Sequence, residues 1–482
     1  MQMSLDLNEI TDETLQAIQK AATAGVISST GLVGFDLSGV VSLVPVNTPT
    51  YDTIAREDGS GSVAANWRAL LNVNSTQPNP FTGLDGGGSL INISEQDMLA
   101  KYLPVRVSGK VTRDAVALAK NYEDAKGIAS IQTLMQWRIQ DNKAIIGGQA
   151  WALAAIGALT FATATTGGTI AATTTVHVRV AARSAYNYFW GGSGAASADA
   201  SQTTGGGTAT NTVTATWAPI KGAVAYDVFV AGFYYTTVTA PTVTVTSVPG
   251  ANAAVPTTLP GLFGTAPTAV PATDTSSSAL SYNGIYASVL GDYSSTGLVT
   301  PGSGTNSGAT WTDLGGAALT PGGQGVAQID TMNASIYNTA QLSATRIRAN
   351  ARVMQEIGSA ALGTNAAVTY LQPDGQERTG LTVGVNVARY INRITGESQE
   401  LIVDPWMPDG SAVFEAQSIP YPNAGIANTF AVRTLQDVTQ FDYGVSLVPG
   451  ANGGPAEVWD QSSIETLICR APMACGVITG IG

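Results

Sequence analysis

The stretch Asn74-Ser-Thr-Gln-Pro-Asn-Pro-Phe-Thr-Gly-Leu-Asp-Gly-Gly-Gly88 decides how this chain is read. Its two prolines fix φ and remove backbone donors, and its four glycines offer no side chain to pack, so no regular element survives there. On either side the sequence turns extended, with Val63 to Val73 and Leu90 to Val111 reading as strand-like arms. Residues 51–111 therefore predict an oversized hairpin with a Gly/Pro tip. A lone hairpin is marginal in water, so this one needs another surface to lean on.

Upstream, residues 1–50 open with a short helix. Thr11 caps it, Asp12 and Glu13 suit the positive end of its dipole, Leu15, Ile18 and Ala22 form a stripe, and Gly25 ends it. Downstream, from Thr112, the period changes to that of one long helix reaching about Asn142, with Gly147-Gly148 as its stop. Ala119, Ile128, Ile131, Met135 and Ile139 form its apolar stripe. Glu123, Asp124 and Lys126, with Arg138 and Asp141, mark a solvated or subunit-facing side.

The composition bounds the chemistry. At 482 residues the chain is long enough for two or three units. Charged residues make up 12% of it, about half of the roughly 25% usual in soluble chains, so small neutral groups or other subunits must cover the surface. A net charge of −12 argues against tight binding of DNA or anionic lipid. His177 is the only histidine, so any His-dependent triad, zinc or haem site would have to run through it. Cys469 and Cys475 are the only cysteines; no disulfide framework is implied, and the pair is expected reduced and partly buried. Met1 to Asp12 has neither a basic nor an apolar run of the kind that opens a signal peptide. Ala144 to Ala164 is uncharged and meets the length of a membrane span, but Gly147-Gly148, a Thr/Gly-rich exit and the lack of a basic flank favour a buried core segment.

Between Glu123 and Glu356 there is no glutamate, and residues 151–320 hold five Asp and three Lys or Arg. β-branched residues replace the helix formers, which predicts an all-β or loop-rich region. Val176, Val178 and Val180 share one face of a strand, with His177 and Arg179 on the other. Val213, Ala215 and Trp217, then Tyr226, Val228 and Val230, then Val243 and Val245 repeat the alternation, so a small β-sandwich is expected. After a Ser/Thr/Pro-rich linker at Pro267 to Ser278 the character becomes mixed. A helix within Asn333 to Ile357 is expected to carry Arg346, Arg348 and Arg352 in its last turns. Strands follow at Val368–Tyr370, Leu381–Val385, Leu401–Val403, Val413–Phe414 and Ala431–Tyr443, with turns at Pro373-Asp-Gly375 and Pro408-Asp-Gly410.

The sequence carries few marks of catalytic chemistry. There is no phosphate loop and no Gly-x-Ser-x-Gly elbow. Glu57-Asp58 reads as a solvated turn, His177 as a surface residue and Trp217 with Tyr226 as sandwich core; the three arginines suit a helix end or subunit contact better than nucleic acid. No catalytic, cofactor-binding or metal-binding residue is assigned, and no enzyme activity or cofactor is expected.

Two resemblances organise these readings. Thr214-Ala-Thr-Trp-Ala-Pro-Ile-Lys-Gly-Ala-Val-Ala-Tyr-Asp-Val-Phe-Val230 resembles the central strands of fibronectin type III or immunoglobulin-like domains, and Ala172 to Ala181 looks like an edge strand of the same sandwich. The order of elements along the whole chain resembles the Hong-Kong-97-type major capsid proteins of tailed phages. That resemblance implies an α+β fold: an N-terminal arm (1–50), an extended loop with peripheral strands (51–111), a spine helix (112–160), an inserted immunoglobulin-like β-sandwich (161–275) and an axial domain with the remaining peripheral strands (276–482). It implies a self-assembling shell of pentamers and hexamers around double-stranded DNA, found in the virion after assembly in the host cytoplasm. Implied partners are further copies of the chain, a portal, scaffolding or decoration proteins and weakly held DNA, with no membrane. The loop tip, Gln77, Pro78, Asn79, Pro80, Phe81 and Leu84, is the implied contact with a neighbour. Some relatives cross-link a Lys of this loop to a neighbouring Asn; residues 51–100 contain no Lys, so no such covalent link is expected. A surface adhesin or carbohydrate-binding sandwich protein is the alternative reading, and a hydrolase using two carboxylates a third.

Overall fold

The computed structural model describes residues 46–482 apart from 60, 73–80, 82–83, 88–93, 120–123, 251–263, 265–266, 268, 294–298, 301–308, 323–324, 363–388, 420–426 and 448–454. The predicted helix at Thr11–Gly25, the tip residues Gln77, Pro78, Asn79 and Pro80, the turn at 373–375 and the strands predicted at 368–370 and 381–385 lie outside the described residues.

The first part of the chain runs through α1 (Pro49–Thr53), β1 (Ala55–Asp58), β2 (Ala64–Asn72), β3 (Ser94–Lys101), β4 (Leu103–Thr112), α2 (Arg113–Ala119) and α3 (Ala125–Gly147). β2 and β3 pair antiparallel from Ala64 opposite Lys101 to Asn72 opposite Ser94, which is the expected hairpin. The second arm is not one strand, however. At Tyr102 the chain leaves the hairpin, and β4 joins a different sheet. Nor is the helical stretch after Thr112 a single helix: α3 has its own start, where Asp124 accepts from the Gly127 amide at 3.0 Å. Gly148 ends α3 as expected.

The middle of the chain forms β5 (Thr160–Ala164), β6 (Thr175–Ser184), α4 (Ala185–Trp190), β7 (Ala200–Thr203), β8 (Thr212–Thr216), β9 (Ala223–Val230), β10 (Phe233–Val238) and β11 (Thr242–Val245). They make two sheets, in the orders β11-β8-β5 and β10-β9-β6-β7. The residues read as inward-facing, Val176, Val178, Val180, Val213, Ala215, Trp217, Tyr226, Val228, Val230, Val243 and Val245, share one buried core. One expectation fails: β6 lies between β9 and β7, an interior strand and not an edge. β9 is buried on both faces, and on its second face Asp227 meets Arg183 of β6 at 2.7 Å with both side chains fully buried.

The remainder contains α5 (Ile285–Leu290), β12 (Asp292–Tyr293), β13 (Val299–Thr300), β14 (Thr310–Asp313), α6 (Ala327–Ala340), β15 (Arg346–Ala349), α7 (Ala351–Leu362), β16 (Arg389–Ile391), β17 (Ser398–Val403), β18 (Ala412–Glu415), β19 (Phe430–Leu447), β20 (Pro455–Cys469) and β21 (Cys475–Thr479). The helix expected within 333–357 is two helices with a strand between them. α6 ends at Gln341 in the left-handed region (φ 56), and Arg346 and Arg348 fall on β15, so they decorate no helix end. A six-stranded mixed sheet, β14-β21-β18-β15-β17-β16, packs against α6 and α7. A second sheet, β1-β19-β20-β4, gathers strands from both ends of the chain.

α3 lies on this second sheet. Gly109 of β4 makes the approach possible, since a Cβ there would come within 2.6 Å of the Trp459 ring and would also strike Thr133 of α3. At its C-terminal end, Ile145 and Ile146 join Ile285, Tyr286 and Leu290 of α5 and Val432, Leu467 and Val477 in one core. The uncharged stretch that follows supplies Trp151, Leu153 and Ile156 to the sandwich core. Among the described residues no helix is long and apolar enough to cross a membrane.

Candidate subunit-contact surfaces

The β2–β3 hairpin is anchored at its root and extended beyond it. Ala65 and Met98 are buried, and Ala65 packs with Tyr102, Ala431 and Ile468 where the arm meets the second sheet. β2 and β3 pair only with each other, forming a two-stranded sheet whose outer edges carry no third strand among the described residues. Of the tip, Phe81 is 86% exposed and Leu84 fully so.

A second surface lies on α3, and here the expectation inverts. The buried face is Thr133, Trp137, Asp141 and Ile145, spaced at four-residue steps against β4 and β20. Trp137 fixes this orientation by donating from Nε1 to the Val105 carbonyl at 3.2 Å. Ile131 and Met135, read from the sequence as part of the apolar stripe, point outward with Leu134; the three are 56%, 42% and 43% exposed. Asp141, placed by the sequence on the solvated side, is fully buried.

Buried ion pairs hold these surfaces in place. Arg56 of β1 reaches Asp141 of α3 at 2.5 Å and Glu465 of β20 at 3.0 Å, under the ring of Tyr51. Arg348 of β15 forks onto Glu415 of β18, Nη2 to Oε1 at 2.9 Å and Nε to Oε2 at 3.3 Å, and donates from Nη1 to Thr53 at 2.6 Å. Arg346 beside it pairs with Glu400 at 2.9 Å. The arginines considered for nucleic acid are thus internal ties, apart from half-exposed Arg352, which holds Asp409 at 2.7 Å and the Ile481 and Gly482 carbonyls. Glu57 is no solvated turn either. It sits on β1, bound by Arg470 at 2.5 Å with Arg433 nearby, and these guanidinium groups hold its carboxyl below the usual carboxylate range.

The remaining sequence candidates are structural. His177 is exposed on β6 and contacts Asp199 at 2.8 Å. Trp217 packs edge-on to Tyr226, with centroids 5.4 Å apart, inside the sandwich. Cys469 and Cys475 are free thiols, both buried, and burial pushes the Cys475 thiol well up. Among the described residues, no group of three or more His, Cys, Asp or Glu is placed to hold a metal ion. Sequence reasoning missed Glu415 and Glu465, the two buried partners; they sit in strands whose neighbours come from distant parts of the chain.

No family model matches the sequence, and no curated protein matches it. Among solved structures the chain is similar to the capsid asymmetric unit of cyanophage A-1(L), at 11% identity over 94% of this chain and 98% of that one, with a TM-score of 0.46. It is similar to the capsid of a native GTA particle, at 8% identity over 96% and 99% of the two chains (TM-score 0.42). A third similar structure is the SrpI encapsulin complex from Synechococcus elongatus PCC 7942, at 8% identity over 94% of each chain, with a TM-score of 0.40.

Proposed function

We propose that the chain is the repeating subunit of a closed protein shell, a major capsid protein of the Hong-Kong-97 type, with no catalytic role of its own. The observation that carries this reading is the β2–β3 arm: a two-stranded ribbon rooted in the body, with no third strand on its edges among the described residues and apolar side chains exposed at its tip. Such a ribbon gains stability by lying on another copy. The outward Ile131, Leu134 and Met135 of α3 supply an apolar strip of the kind a permanent neighbour covers. Identical contacts repeated around rotation axes close into rings and shells.

In this reading Gln77, Pro78, Asn79, Pro80, Phe81 and Leu84 meet the adjacent copy, the copies form pentamers and hexamers, and the shell encloses double-stranded DNA in a virion assembled in the host cytoplasm. The acidic balance of the chain suits a container that holds DNA loosely. A portal and scaffolding or decoration proteins would complete the particle. The two-sheet body at residues 160–245 is the inserted domain; its seven strands and the Trp217–Tyr226 pair suit an immunoglobulin-like sandwich, though its first, fourth and seventh strands share one sheet. An adhesin would account for that body alone and leaves the arm and α3 without a role.

Negative-stain imaging of the purified chain tests the proposal. Rings or closed particles of uniform diameter are expected; a dispersed small species at every concentration would overturn it.

A further inference from the structure

The Arg56 cluster contains one cation and two carboxyl groups. Asp141 and Glu465 have no exposed side-chain surface, and Arg56 is 31% exposed. Both carboxyls touch Arg56 through a single oxygen. The two carboxyls sit on the two terminal nitrogens of one guanidinium, and Glu465 Oε1 is left buried without a hydrogen bond to any donor among the described residues. Two ionised carboxylates are acceptors only and cannot bond to one another. With both charged, the cluster would carry a net negative charge on two fully buried carboxyls, which is costly.

Among the described residues, the groups facing the cluster do not supply the missing positive charge. From α1 comes the Tyr51 ring and from α3 Arg138, which is occupied with Asp52 and Thr48 at the surface. From the segment before α5, buried Tyr282 approaches Asp141 through its hydroxyl at 3.4 Å. β1 gives Arg56 itself and β20 gives Glu465.

We infer that Asp141 and Glu465 share one proton at neutral pH, and that this proton fastens α3 to β1 and β20. Protonated, Glu465 donates to Asp141, satisfying its orphaned oxygen and leaving one carboxylate for one guanidinium. Burial and the neighbouring Asp141 carboxyl push the Glu465 carboxyl well above the usual carboxylate range. The contribution to stability is complete below the ordinary carboxylate range. It is lost as pH rises toward the raised folded value of Glu465, because the unfolded chain gives up a proton the folded one keeps. This group alone makes the unfolding equilibrium constant rise about tenfold per pH unit through that window. Shell formation plays no part in it.

Glu465→Gln tests it, since the amide mimics the protonated acid. Denaturant unfolding from pH 5 to 8 is expected to show the wild-type chain losing stability relative to the variant by about tenfold per unit. The infrared difference between wild type and variant at neutral pH should contain one protonated-carboxyl stretch. Parallel pH profiles, or a difference spectrum without that band, would overturn the inference. If Glu465→Gln fails to fold, Asp141→Asn is measured in the same two ways: diverging profiles and the infrared band support the shared proton, and the absence of either overturns it.

Discussion

Replacing both Ile131 and Met135 of α3 by lysine strips the apolar strip without entering the core. The three outward side chains keep 56%, 43% and 42% of their surface in water, so covering them completely is worth about 3 kcal/mol per copy, taking about 2 kcal/mol for full burial of one such side chain. The two substitutions remove about 2 kcal/mol of that and place two ammonium groups against whatever packs there. At 1.4 kcal/mol per decade, each contact weakens at least about 30-fold. The assay is light scattering against protein concentration, with circular dichroism melts alongside. The onset of assembly is expected to move up by that factor or more, while the melt changes by no more than about 0.5 kcal/mol, as for ordinary surface positions. Assembly at an unchanged concentration would refute the assignment of this face to a subunit contact.

Two further substitutions probe the body. Arg348→Met takes both guanidinium hydrogen bonds from buried Glu415, leaving it only Arg346 at 3.6 Å, and is expected to cost about 3 kcal/mol in denaturant unfolding, whereas Arg348→Met with Glu415→Leu recovers most of it; equal losses in both would show that the pair's charges are not what matters. Gly109→Ala forces a methyl into the space held by Trp459 and Thr133, and calorimetry should register a loss of about 1–3 kcal/mol. An unperturbed melt would mean that α3 and the Trp459 ring leave room for a methyl at β4.

The hairpin and the sandwich strands were legible because their signals are local. Proline and glycine punctuate the tip, and Val176, Val178 and Val180 alternate with His177 and Arg179 because over residues 175–180 one face of β6 meets the core and the other is at least partly exposed. The face of α3 was illegible for the opposite reason. Ile131 and Met135 look more like core than Thr133 and Asp141 do, and Arg56 and the Tyr282 hydroxyl, far away in sequence, make Asp141 tolerable inside. β15 was hidden similarly: Arg346 and Arg348 suggest a helix end until β17 and β18 bring Glu400 and Glu415 alongside. β20 carries no strand signal in the sequence because Gln461, Ser462, Ser463, Glu465 and Thr466 are polar, yet all five are buried in the sheet beneath α3 and the arm root. Of the expected tip contacts, Phe81 and Leu84 lie among the described residues, and both are exposed.

Image reconstruction of the assembled protein is the most direct measurement. The account predicts ordered rings in which the 64–101 ribbon of each copy lies across the neighbouring copy, with Leu84 covered there. A particle in which every ribbon rests on its own body, or a protein that stays a single copy under all assembly conditions, would contradict it.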